Sequence, residues 1–336
     1  MPKLSVIMST YNDSQYIRES IDSILDQTFR DFEFIIIDDA STDNTVEIIR
    51  SYTDDRIKLI INEENQGLTK NLNKALTYVT GEYIARMDGD DISLPERFAK
   101  QVAYLDNHKD VYLIGCAVKS FGASDLIWLL PDDSEELRVR MLIRPVFAHP
   151  SFMFRKKLID EGFRYDETFR TAQDYDFASR VAKVHKIGRV QDILMKYRVH
   201  DKQISSTSSI NQLSNADRIR SRLLQELGIT LNKQQQAIYN AFVAEKCPDS
   251  IETFLGAADL INELTIANNN SKVYYKKTLA KTLKKMLYTW VIRSKKTGYI
   301  LRFPQVCQFN IGNMRIFVGE IIRTLKEKKI KPSMAM

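Results

Sequence analysis

Along the first hundred positions, short runs of apolar, β-branched residues alternate with segments whose apolar residues recur every three or four places. This is the pattern of strands alternating with helices. Leu4–Met8 is the first such run, and Asn12-Asp13-Ser14 then offers capping side chains to a helix with Ile17, Ile21, Ile24 and Leu25 on one stripe. Phe32–Ile37 is apolar at five of six positions, as expected of a strand covered on both faces of a parallel sheet, and it ends in Asp38-Asp39. Ser41-Thr42-Asp43 precedes a helix carrying Val46 and Ile49, Ile57–Ile61 is a third strand, and Leu68–Val79 a third helix. Tyr83–Met87 is a fourth strand, running into Asp88-Gly89-Asp90-Asp91. Ser93 and Glu96 then stand at capping-box spacing before a helix through Phe98, Val102 and Leu105. Repeated βα units predict an α/β fold with a doubly wound sheet.

The later chain changes character. Ile210 to Leu227 has helical apolar spacing (Leu213, Ile219, Leu223, Leu224, Leu227) with Gly228 as its stop, and the chain from there to Asn270 is polar and helix-forming without a motif. From Tyr274 onward Lys276, Lys277, Lys281, Lys284, Lys285, Lys295 and Lys296 interleave with Leu279, Leu283, Leu287, Trp290 and Val291, and Arg323 to Lys331 forms a basic end. Such a helix either lies in an anionic membrane interface or packs its leucines on the core with its lysines solvated.

Charge sharpens that division. The 336 residues carry +6 overall, but positions 272 to 336 hold 16 Lys/Arg against 2 Asp/Glu, leaving 33 against 41 in the preceding body. An acidic body is poorly suited to nucleic acid, where affinity rests on phosphate neutralisation, while a basic tail suits anionic lipid. No apolar stretch approaches the roughly 20 residues a spanning helix needs. The start lacks the longer apolar segment of a secretory signal, so a cytoplasmic location is expected. Three distant cysteines, Cys116, Cys247 and Cys307, give no disulfide framework.

In doubly wound sheets ligands sit beyond the carboxyl ends of the strands. Three strands here end in Ser9-Thr10-Tyr11-Asn12, Asp38-Asp39 and Asp88-Gly89-Asp90-Asp91, so carboxylates and an aromatic ring are expected on one rim. Asp88 and Asp90 could reach a hard divalent cation and leave positions for diphosphate oxygens, or simply form a solvated, helix-capping turn. Asp39 could accept the imide N–H of a uracil with Tyr11 stacked on the ring, or serve with its neighbours as a cap.

Taken in order, Ser5-Val-Ile-Met-Ser-Thr-Tyr-Asn12, Ile37-Asp-Asp-Ala-Ser-Thr-Asp43, Asn65-Gln-Gly-Leu68, Gly81 to Asp91 and Ala172-Gln-Asp-Tyr-Asp176 make the chain resemble the family 2 inverting glycosyltransferases of GT-A fold. The resemblance spans residues 3 to about 207. With the segment Tyr197 to Ser205, it is similar to bacterial enzymes that extend lipopolysaccharide, lipooligosaccharide or capsular chains. It implies a GT-A catalytic domain over 1–207, with a mixed sheet flanked by helices, and a helical C-terminal region over 208–336, basic from 272.

The resemblance also implies roles. Thr10, Tyr11 and Asp39 match positions that hold the uridine of a UDP-sugar, with Lys70 and Arg86 near ribose or diphosphate. Asp88 and Asp90 match the acidic pair for Mn²⁺ or Mg²⁺, and His200 a third ligand. Asp174 matches the general base, alone or shared with Asp176, because Gln173 replaces the glutamate many relatives have there. His149, Asp91 and Gln173 fall where acceptor or sugar is positioned. Gly67 permits close backbone approach or a turn. The implied reaction moves a hexose or N-acetylhexosamine to a surface-glycan hydroxyl, on an acceptor expected to be lipid-linked at the inner face of the membrane. The alternatives are a nucleotidyltransferase, disfavoured because Ser9–Asn12 is not a phosphate loop, and a catalytically inactive membrane-associated scaffold.

Overall fold

The computed structural model describes residues 1–129, 131–201, 203, 209–244 and 250–293. Cys247, Cys307, Lys295, Lys296, the basic end 323–331 and Lys202, Ile204 and Ser205 lie outside them. The chain divides into two compact units: Met1–Arg138 with Pro145–Asp217, and Val139–Arg144 with the chain from Arg218.

The first unit is built on nine strands: β1 (Leu4–Thr10), β2 (Phe32–Asp38), β3 (Ile57–Ile61), β4 (Tyr83–Asp88), β5 (Ile92–Ser93), β6 (Val111–Gly122), β7 (Ile127–Trp128), β8 (Met153–Arg155) and β9 (Lys186–Val199). They form one mixed sheet in the order β3-β2-β1-β4-β8-β6-β9-β5, with β7 paired to β6. Strands β1 to β4 are parallel neighbours, β8 runs antiparallel to both β4 and β6, and β9 returns parallel to β6. Helices α1 (Ile17–Leu25), α2 (Thr45–Arg50), α3 (Leu68–Leu76) and α4 (Arg97–Asn107) follow the early strands; α5 (Ser134–Arg140), α6 (Lys157–Asp160) and α7 (Gln173–Val184) come later. The mixed sheet flanked by helices is the one the resemblance implies.

The core explains the apolar runs. Phe34, Ile35, Ile36 and Ile37 of β2 are all fully buried, so both faces of the strand are covered. Each such side chain contributes roughly 1.5–3 kcal/mol relative to exposure. Ile17, Ile21 and Ile24 of α1 join β1 and β2 in that core.

Three expected caps do not form. Helix α1 starts without a side-chain cap, because the Asp13 carboxylate accepts from Thr10 Oγ1 (2.7 Å) and the Tyr11 amide (3.2 Å) instead. Helix α2 likewise has none at its first residue's predecessor, although Asp43 accepts from the Thr45 amide at 3.0 Å. Ser93 belongs to β5 and its hydroxyl accepts from Gln27 Nε2, while Gln27 Oε1 takes the Phe98 amide of α4, so no capping box closes.

The second unit is helical: the greater part of its described residues lies in α8 (Ser209–Glu226, entering from the first unit), α9 (Lys233–Val243), α10 (Ile251–Ser271) and α11 (Lys276–Arg293). Asn232 and Gln235 close a full capping box on α9, and Gly228 takes φ +80 beyond α8. On α11 Leu279, Leu283, Leu287 and Trp290 are buried, with the Trp290 ring 5.4 Å from Phe242 of α9. The stripe expected to dip into a membrane is therefore this unit's own core. Lys276, Lys277 and Lys281 remain exposed. Among the described residues no helix is long and apolar enough to cross a membrane.

Candidate active site

Register brings the motif residues together. Thr10 pairs with Asp38, and Ser9 with Asp88, so the ends of β1, β2 and β4 share one rim. Beyond β1 the chain turns at Asn12 (φ +55), whose amide donates to Ser41 Oγ (2.9 Å) and whose Oδ1 accepts from the Thr42 amide (2.8 Å). This leaves the Tyr11 ring 47% exposed above the rim, the state required of a stacking surface.

Asp39 is buried. Its Oδ1 accepts from the Gln66 amide (2.8 Å) and Asn62 Nδ2 (2.9 Å), and its Oδ2 from the Gly67 amide (2.8 Å). Burial raises this carboxyl, but the hydrogen bonds outweigh it and hold it below its ordinary value, so Asp39 is an ionised acceptor. Gly67 adopts φ +87, and a β-carbon there would meet nothing within 4 Å; the turn, not close packing, requires glycine. Lys70 is exposed on the first turn of α3.

The acidic turn follows β4. One carboxylate oxygen from each of Asp88, Asp90 and Asp91 lies within 4.8 Å of the others. Asp91 is fully buried; its Oδ1 accepts from the Arg198 amide (2.8 Å) and its Oδ2 has no hydrogen-bond partner among the described residues. Burial, Asp90 and Asp88 push its carboxyl well up. Fully buried and held by the Arg198 amide, Asp91 ties the turn to β9. His200 Nε2 lies 3.0 Å from Asp90 Oδ2 and its ring 4.9 Å from Tyr16. Arg198 delivers it there, donating from Nε to Asp90 O (2.7 Å) and from Nη2 to Glu19 (2.7 Å).

A fourth carboxylate, Asp13, expected from the sequence only as a helix cap, faces this turn. Burial pushes Asp13 up to about 6, against its Thr10 hydrogen bond and with the Asp90 and Asp88 charges adding to the rise. Crowded hard-oxygen donors, an unpartnered buried Asp91 oxygen and an adjacent imidazole fit a divalent cation of the Mn²⁺ or Mg²⁺ type.

Arg86 is 1% exposed and ion-pairs with Asp88. It lies beneath the acidic turn, and its expected contact with ribose or diphosphate would be made from there. The same guanidinium acts electrostatically on Asp174, which in turn acts on Asp88.

Helix α7 presents Asp174 in its first turn, after Ala172 at φ +58. Asp174 is half-buried, and burial raises its carboxyl despite backbone hydrogen bonding and Arg86. Asp176 is fully buried and bound by Arg180 at 2.7 Å, which corrects the expectation that it shares the base role. Gln173 is buried, its Oε1 without a partner among the described residues. His149 is buried with Nε2 2.9 Å from Tyr165 Oη, and burial with Arg86 nearby keeps its ring neutral. Arg198 and Tyr165 carried no signal in the sequence beyond their proximity to motif residues, and Asp13 only that of a helix cap.

The model for glycosyl transferase family 2 matches residues 5–163. The chain is 38% identical over 208 residues to the uncharacterized glycosyltransferase MJ1057 of Methanocaldococcus jannaschii, covering 59% of this chain and 71% of that one. It is 33% identical to the O-antigen biosynthesis glycosyltransferase WbnJ of Escherichia coli, covering 61% and 83%. Among solved structures it is similar to S. aureus TarS 1-349 in complex with UDP-GlcNAc, at TM-score 0.57 and 20% identity over 88% of this chain and 89% of that one. It is also similar to the mannosyltransferase PcManGT of Pyrobaculum calidifontis in complex with GDP-Man and Mn²⁺, at TM-score 0.55 and 17% identity over 97% and 88%. The structural likenesses speak for the fold and the sequence likenesses for the family: this chain is a member of glycosyl transferase family 2.

Proposed function

We propose that the protein moves a hexose or N-acetylhexosamine from a UDP-sugar to a hydroxyl of a growing surface glycan, with inversion at the anomeric carbon. The observation that carries this reading is the rim itself: the ends of β1, β2 and β4 lie side by side, and the turn after β4 brings one oxygen each of Asp88, Asp90 and Asp91 within 4.8 Å of one another. It supports a cation-assisted diphosphate site near the exposed Tyr11 ring, with Asp174 in the first turn of α7 as the base.

In this reading Asp39 accepts from the uracil imide and Tyr11 stacks on its ring, with Thr10 and Lys70 beside the nucleotide. Asp88, Asp90 and His200 would hold a divalent cation. When bound, that cation supplies Lewis-acid stabilisation of negative charge on the departing diphosphate. The Asp174 carboxylate takes the proton of the acceptor hydroxyl as its oxygen bonds to the anomeric carbon. The bond from that carbon to UDP breaks on the opposite face. A positioned base of this kind is typically worth 10²–10⁴-fold. His149, neutral and fixed by Tyr165, orients the acceptor or sugar with Gln173.

UDP-GlcNAc in the TarS complex and the O-antigen role of WbnJ support a UDP-sugar donor and a glycan acceptor. The helical region from residue 208 is proposed as a separate functional part. Its exposed Lys276, Lys277 and Lys281 suit an anionic inner membrane surface carrying a lipid-linked acceptor, by charge alone.

A panel of UDP-hexoses and UDP-N-acetylhexosamines, assayed for UDP release, tests the donor class. The anomeric configuration of the product, read by NMR, tests inversion. Retention, or turnover confined to another nucleotide sugar, would remove this reading.

A further inference from the structure

We infer that Asn73 is a positioning residue for Asp174, acting through the segment Tyr165 to Phe169; this rests on the reading of Asp174 as the base. Asn73 stands on α3, a helix that otherwise serves the nucleotide side. Its half-buried amide grips the backbone of a single residue at both polar groups. Nδ2 donates to Tyr165 O at 2.9 Å and to Glu167 Oε1 at 3.0 Å, while Oδ1 accepts from the Tyr165 amide at 2.9 Å. One turn earlier on the same face, Thr69 Oγ1 donates to Phe169 O at 2.8 Å. The segment is thus held at both its ends by one helix, 92 positions away along the chain at Tyr165.

What is held leads to the base. The Tyr165 ring stacks on Phe177 of α7 at 4.6 Å, and its hydroxyl meets His149 Nε2 at 2.9 Å. After Phe169 the chain passes Thr171, then Ala172 in the left-handed region, and enters α7 with Asp174 in the first turn. A non-glycine residue at φ +58 is costly and persists only where its surroundings are fixed. The N-terminal end of α3 carries Gly67, whose amide, with that of Gln66, binds Asp39. Asn71 on α3 accepts from Asn62, which also donates to Asp39. Helix α3 therefore acts as a strut, with the proposed uracil acceptor at one end and the entry to the proposed base along its side.

Displacing a catalytic group by about 1 Å can cost 10²-fold in rate while leaving binding intact. We test Asn73→Ala and Thr69→Val, each in the full chain, for kcat, donor KM and UDP affinity, with amide hydrogen exchange across residues 163–172. The expected result is a fall in kcat of ~10-fold or more. Donor KM and UDP affinity stay within about twofold and exchange quickens in that segment, because only the base side has loosened. Thr69→Val keeps the shape of the residue and removes one bond, so it remains informative if Asn73→Ala does not fold.

An unchanged kcat in Asn73→Ala, or a kcat that falls only in step with UDP affinity, overturns the inference. Asp174→Asn runs in parallel. If it loses activity while Asn73→Ala keeps it, the inference alone fails. If Asp174→Asn retains wild-type kcat, the base reading fails and the inference with it.

Discussion

The carboxylate of Asp13 occupies the space a β-carbon on Gly89 would need: such an atom would lie 2.6 Å from Asp13 Oδ2 and 3.2 Å from Thr10 Oγ1. The residue between the two acids of the Asp88-Gly89-Asp90 turn is glycine because a third acid approaches it from β1's end. Gly89→Ala should therefore push the turn away from β1, at a cost of about 1–3 kcal/mol for overpacking. Mn²⁺-dependent UDP binding should fall with it. In an Asp13→Ala background the same change should be nearly neutral for stability, and chemical denaturation of the four proteins of the cycle measures the coupling. Additive effects would mean the two residues do not touch.

Asp13 also makes stability depend on pH. Its carboxyl sits at about 6 in the folded protein against 3.8 when unperturbed. The folded state thus holds the proton more tightly, and its contribution is full below 3.8 and lost as pH rises through about 6. In metal-free protein, stability should decline by up to about 1 kcal/mol per pH unit across that window. Asp13→Asn should flatten the decline, and urea unfolding at a series of pH values checks it.

For Asp174 the sign concerns activity. A base must be ionised, and burial raises this carboxyl above its ordinary value near 3.8. The acid limb of the kcat/KM profile should accordingly lie above that value. A profile that is flat down to pH 4 would count against Asp174 as the group that titrates.

His200 approaches Asp90 from β9, held in place by Arg198. His200→Ala should weaken Mn²⁺ binding by ~100-fold or more, with Arg198→Ala giving a smaller loss of about 10-fold, the lower end of what supporting partners contribute. Calorimetric titration of Mn²⁺ in the presence of UDP reads both. Equal affinity in all three proteins would separate His200 from the cation.

On α11 Leu283 is fully buried, as is Trp290. Leu283→Ala should destabilise the helical unit by about 2–5 kcal/mol, as cavity-forming core changes do. A membrane-dipping leucine would instead lose vesicle binding with no loss of stability.

The first four strands and the shared rim were legible because they follow from local pattern: Phe34 to Ile37 read as a doubly covered strand and are one, and Asp38 and Asp88 end their strands beside Thr10 and Ser9. The caps were less legible. Asp13 and Ser93 have the right spacing for helix starts, but Thr10 takes Asp13 and Gln27 takes both Ser93 and the Phe98 amide, so more distant partners win. Arg198 to Asp90 spans 108 positions and Asn73 to Tyr165 spans 92, distances at which a single sequence carries no pairing signal. Asp176 was expected at most to share the role of Asp174; on α7 it is paired with Arg180 and buried, while Asp174 stays half-buried at the helix start. The stripe on α11 illustrates a different limit: periodicity shows that one face is apolar, and only packing shows what covers it.

The most direct measurement compares wild type with Asp174→Asn in single-turnover transfer from the preferred UDP-sugar, with UDP affinity measured on both. Loss of at least ~100-fold in rate, at a UDP affinity unchanged within about twofold, is the predicted result. Near-wild-type transfer by Asp174→Asn with UDP still bound would contradict the account.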